Sequence, residues 1–162
     1  MTDLALDINI EAGDWPQNVP EIEPLISACL KSALAQVDLS NEVGVEVSLL
    51  LTDDAHQQVL NANWRELDKP TNVLSFPSGE DQAQPGQPLM LGDISLAFET
   101  VSAEAQEQQK SFTDHVSHLL VHGMLHLLGF DHEVEAQAHE MEALEIDILK
   151  TLGIQNPYAE RP

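Results

Sequence analysis

A chain of 162 residues is long enough for one domain with a buried core. Its 6 Lys and Arg stand against 28 Asp and Glu, a formal net charge of -22, and the acids are spread along the whole sequence rather than gathered in a tail. Such a surface is well solvated and discourages loose binding to polyanions, a single cysteine excludes an internal disulfide, and no apolar run is long enough to span a bilayer.

The first residues, MTDLALDINIEAG, lack a basic region and a long apolar run, so no signal peptide is expected. Residues 4–10 alternate apolar and polar as a strand does. EIEPLISACLKSALAQ, residues 21–36, has helical periodicity and places Cys29 on its apolar side. A buried free thiol there agrees with a reducing, cytoplasmic setting. VEVSLLLT, residues 45–52, reads as a buried strand. DDAHQQVLNANWREL follows as a helix capped by Asp53 or Asp54. PTNVLSF, residues 70–76, is extended after its proline, and GEDQAQPGQP, residues 79–88, is a polar loop expected to be mobile.

DISLAF, residues 93–98, is a further strand, and a helix covers about residues 101–109. A second helix starts after Ser111, where S-F-T-D forms a variant capping box with Asp114. It runs to about Leu128 and stops at Gly129. The last helix spans about residues 134–152, with Met141, Leu144, Ile148 and Leu152 on one face. Strands followed by helices, with no repeat and no internal boundary, predict one α+β domain over residues 1–162: a small mixed sheet covered by helices.

The chemistry concentrates in HGMLHLLGFDH, residues 122–132. His122 and His126 are four apart on a helix, so both imidazoles lie on one face and can grip one ion. Gly129 lets the chain turn, and His132 can swing back as a third ligand. Three protein ligands with a fourth position open is the pattern of a catalytic zinc site, although nickel or cobalt also suits three imidazoles. His118 extends the helical stack, but eight residues rise about 12 Å, too far for His118 and His126 to share an ion. His118 is therefore expected to neighbour and tune the site. His115 is expected at the surface or in a pocket wall, and His56 and His139 are structural.

The spacing is that of a zinc-protease motif, yet the residue after the first histidine is Gly123 where such a protease keeps a glutamate base. A helical glycine costs about 1 kcal/mol against alanine, so a close approach of backbone or of a bulky ligand is expected there. The missing base counts against peptide hydrolysis. It does not count against phosphodiester cleavage, where a metal and a cation can share the developing charge.

HGMLHLLGFDH resembles the signature of the YbeY family of single-strand-specific endoribonucleases, the rRNA maturation factors. NANWRELDKPTNVLSFP, residues 61–77, resembles that family's other hallmark, and LGDISLAFE, residues 91–99, and the M-E-x-x-E run from Met141 to Glu145 also fit. The resemblance covers about residues 45–152. It implies an α+β fold, one zinc ion on His122, His126 and His132, a functional arginine at Arg65, and hydrolysis of single-stranded RNA. It further implies 16S rRNA 3′-end maturation and late ribosome quality control.

Read without the family, Arg65 is either a phosphate-binding guanidinium or a surface arginine paired with Glu66 or Asp68. Asp131 either orients a ligand imidazole or caps the turn. Trp64 is core or pocket wall, with base stacking the lesser option. With so few cations, the substrate is expected to be held by a small local spot of metal, Arg65 and Lys69. Either a basic small-subunit ribosomal protein docked on the acidic surface guides it, or the acidity is a solubility adaptation that recruits nothing; no membrane is involved. The competing readings are an atypical zinc metallopeptidase and a non-catalytic ribosome-assembly factor with a structural metal.

Overall fold

The computed structural model describes residues 3–37, 44–79 and 86–159. Among these, strands β1 (Leu4–Ile10), β2 (Val45–Thr52), β3 (Val73–Pro77) and β4 (Leu89–Ala97) form one sheet in the order β1-β2-β4-β3. β1, β2 and β4 run parallel and β3 antiparallel to β4, so the sheet is mixed. Helices α1 (Trp15–Asn18), α2 (Ile22–Leu34), α3 (Asp54–Arg65), α4 (Phe98–Glu107), α5 (Phe112–Leu127) and α6 (Glu135–Thr151) complete the α+β architecture.

β2 shows why the sheet has an inside and an outside. Val45, Val47, Leu49 and Leu51 are buried, while Glu46, Ser48 and Leu50 between them are only half-buried. Side chains alternate across a strand, so one face packs under the helices and the other stays partly open. The strand expected to be buried outright is thus buried mainly on one side. The inner face meets Ile26, Leu30, Leu120 and Met124 from α2 and α5 in one apolar cluster. Cys29 lies in that cluster with no exposure, and burial pushes its thiol up to about 11, so it stays an unreactive hydrophobe.

Two caps match their expectation. Asp53 accepts from the backbone N–H of His56 at 2.9 Å, and Ser111 Oγ accepts from that of Asp114 at 3.0 Å. β4 begins four residues before the expected start at Asp93. Its pairing with β2 shifts register between Glu46 and Val47, and this bulge absorbs Leu91 beside Gly92. Gly92 is therefore inside the strand. The short helix α1, with Trp15 wholly buried, carried no periodic signal. Of the loop at 79–88, residues 80–85 lie outside the described residues.

Candidate metal centre

α5 is the central helix, and its length of 16 residues carries His115, His118, His122 and His126 along it. It ends as its sequence requires. Gly129 takes φ +103°, its N–H donates to the His126 carbonyl at 3.1 Å, and the Phe130 N–H reaches back to the Leu125 carbonyl at 3.0 Å. That pair of bonds is a Schellman stop, which satisfies the last carbonyls and reverses the chain. Beyond it, Asp131 Oδ1 accepts from the His132 N–H at 2.7 Å. Asp131 therefore caps the turn, the second of its two readings.

The reversal brings His132 back. One ring nitrogen from each of His122, His126 and His132 lies within 4.8 Å of the others. Nε2 of His122 and Nε2 of His126 face each other at 3.1 Å. Two nitrogens on one tetrahedral zinc at about 2.0–2.1 Å stand roughly 3.3 Å apart, so the spacing fits an ion between them. Burial, aided by His122 and His132 nearby, pushes the His126 pKa down. Protonation is disfavoured, and a neutral imidazole is what a metal needs.

His118 neighbours the trio, as expected. Its ring lies 6.3 Å from that of His122 and its Nε2 donates to Glu145 at 3.1 Å. His115 departs from expectation. It is buried, not at a surface or pocket wall, because Glu104 on α4 accepts from its Nε2 at 2.9 Å. His56 also has a partner close in sequence, Asp53 Oδ1 at 2.6 Å.

Gly123 is explained by packing. A Cβ there would lie 3.1 Å from Ser75 Oγ and 3.2 Å from Ile94 Cγ2. The close approach is therefore by side chains of β3 and β4, and a glutamate at this position would be driven into the sheet. Ser75 also ties the site together: its Oγ donates to the Gly123 carbonyl at 3.1 Å, and its own carbonyl accepts from Arg65 Nη2. Arg65 is exposed, with its guanidinium 5.3 Å from the Phe76 ring centre. Both sequence readings of Arg65 omitted this anchorage to β3, and no ion pair joins it to Glu66 or Asp68 among the described residues.

Arg65, Lys69, Asn61, His122, His126 and His132 line one cleft of about 680 Å³. The segment after α3 is held over it by Asn61, whose side chain donates to the Lys69 carbonyl at 2.9 Å. α3 itself is pinned to β4 by Gln57, which exchanges hydrogen bonds with Ser95. Trp64 points away. It is 70% exposed and borders a second hollow of about 590 Å³ on the outer sheet face with Asp7, Phe76 and Asp93. It is a pocket wall and not core.

Sequence reasoning assigned no role to Glu145. On α6 it is wholly buried and bonded to His118, His122 and Tyr158. Burial raises its pKa, but the hydrogen bonds from His118, His122 and Tyr158 outweigh that and hold it at about 2. An acid on the buried stripe between Met141 and Ile148 was the available signal.

A family model described as Endoribonuclease YbeY matches residues 7–153. The Endoribonuclease YbeY of a Bradyrhizobium species is 51% identical over 160 residues, covering 94% of this chain and 91% of its own. That of Paramagnetospirillum magneticum is 50% identical over 162 residues, covering 98% and 97%. The solution structure of a Thermotoga maritima protein shares the fold, with a TM-score of 0.55 at 20% identity over 97% of both chains.

Proposed function

The chain belongs to the endoribonuclease YbeY family and is a nuclease, and from that premise we propose that residues 1–162 form a single zinc-dependent domain that cuts single-stranded RNA. The proposed task is maturation of the 16S rRNA 3′ end and late ribosome quality control in the cytoplasm. No helix among the described residues is long and apolar enough to cross a membrane. The observation that supports the reading is the cleft, where the three histidines and the two cations face one space.

In this reading His122, His126 and His132 hold the ion, and Arg65 binds the scissile phosphate. The ion, when bound, acts as a Lewis acid and lowers the pKa of a water to about 7. Arg65 supplies donors aimed at the phosphate oxygens, and its bond to the Ser75 carbonyl sets where they point. Lys69 adds a second positive charge at the rim. Gly123 leaves no general base beside the first histidine, which favours phosphodiester over peptide substrates.

Two cations cannot hold a long RNA track. Affinity for single strands falls with log salt at a slope of about -0.7 per phosphate contact, so two contacts give roughly -1.4. Binding of a short single-stranded RNA to His126→Ala, which keeps both cations, is therefore expected to be weak and shallow in salt. Tight binding with a slope of about -4 or steeper would mean six or more contacts and a different interface. Substrate choice then comes from a partner: a basic small-subunit ribosomal protein seated on the acidic surface places the cleft beside the rRNA end.

A further inference from the structure

Glu145 occupies a position where the fold asks for an apolar residue. It lies four residues after Met141 and three before Ile148 on the buried stripe of α6, with no exposure. A carboxylate there is costly unless its oxygens are satisfied, and these are. Oε1 accepts from His122 Nδ1 at 2.5 Å, while Oε2 accepts from His118 Nε2 at 3.1 Å and from the Tyr158 hydroxyl.

The bond to His122 has a direction. A carboxylate only accepts, so Nδ1 carries the proton and Nε2 keeps its lone pair, on the side where Nε2 of His126 lies. Tyr158 comes from the segment after α6, beyond residue 153, where the family match ends. Its ring stands edge-on to His118 with centres 5.4 Å apart, so it packs on the network as well as donating to it. We propose that Glu145 is the positioning residue of the metal centre, fixing the tautomer and ring angle of His122, and that Tyr158 is the latch that holds Glu145 in place. His118 is the second brace. The segment after α6 is thus a working part of the site. A carboxylate behind a ligand imidazole raises its basicity and orients it, and its loss weakens metal binding by about 10–100-fold.

This rests on reading the three histidines as a metal site, so the test measures zinc binding directly. Zinc dissociation constants are obtained by chelator competition for the full chain, for Glu145→Gln and for Tyr158→Phe. Thermal unfolding of each metal-free protein and the ring-nitrogen NMR spectrum of His122 accompany them. Glu145→Gln is expected to weaken zinc by about 10–100-fold and to spread His122 over both tautomers. Tyr158→Phe, which removes one hydroxyl, is expected to weaken it by about 2–10-fold, the worth of one hydrogen bond. A folded Glu145→Gln protein that binds zinc as the unaltered chain does, with His122 still wholly Nδ1-protonated, overturns the proposal. If Glu145→Gln does not fold, unchanged zinc affinity in Tyr158→Phe overturns it instead. An unaltered chain that takes up no zinc overturns the metal reading, and this inference with it.

Discussion

His126→Ala is expected to strip the protein of its metal. Purified wild type should carry one divalent ion per chain, and the variant close to none. Structural zinc in small four-ligand sites contributes about 10–16 kcal/mol, so one ligand is worth roughly 3 kcal/mol, on the order of 100-fold in affinity. His126 is the ligand to remove because it sits between the other two. Its ring centre is 4.6 Å from that of His122 and 4.9 Å from that of His132. It is only half-buried, and its ring bonds are to the His122 ring and to the Phe130 backbone in the turn after α5, so folding should survive. Elemental analysis beside thermal unfolding checks both halves. Unchanged metal content in the variant would remove His126 from the ligand set.

Arg65→Ala is expected to keep the metal and the fold while losing most cleavage. The structural loss is one hydrogen bond to the Ser75 carbonyl and the contact over the Phe76 ring, about 1–2 kcal/mol for an exposed side chain. The catalytic loss is one charge-stabilising donor, about 2.7–4 kcal/mol of barrier, or roughly 100- to 1,000-fold in kcat. The second number exceeds the first, so kcat should fall far more than thermal stability. Arg65→Lys should recover only part of the rate, because an ammonium cannot bridge two phosphate oxygens as a guanidinium does. Full activity in Arg65→Ala, or its failure to fold, would contradict the assignment. The second outcome would mean that the contacts with Ser75 and Phe76 are its main work.

What could be read from sequence was what local spacing determines. Two histidines four apart, a glycine stop and a third histidine just past it are set by helix geometry and turn chemistry. The structure closes them to within 4.8 Å. The caps at Asp53 and Ser111 are equally local, since donor and acceptor lie three residues apart. What escaped depends on partners remote in sequence. Glu145 meets His122 and His118 from 23 and 27 residues away, and an acid in a helix ordinarily reads as solvent-facing. His115 is buried because Glu104 on the neighbouring helix receives it. The reason for Gly123 lies 48 residues upstream at Ser75, and a helical glycine announces a close approach without saying by what. Arg65 finds a backbone carbonyl ten residues on only because the chain folds back after α3, where Glu66 takes a left-handed conformation.

The central claim is that a metal on His122, His126 and His132 makes this chain a single-strand-specific ribonuclease. It is tested most directly by incubating a labelled RNA that carries one single-stranded and one duplex segment with zinc-loaded protein, chelator-stripped protein and His126→Ala. Cleavage is expected within the single strand by the loaded protein alone, and is expected to return to the stripped protein when zinc is restored. Equal cleavage by stripped protein and by His126→Ala, or no cleavage by protein shown to hold one ion per chain, would contradict it.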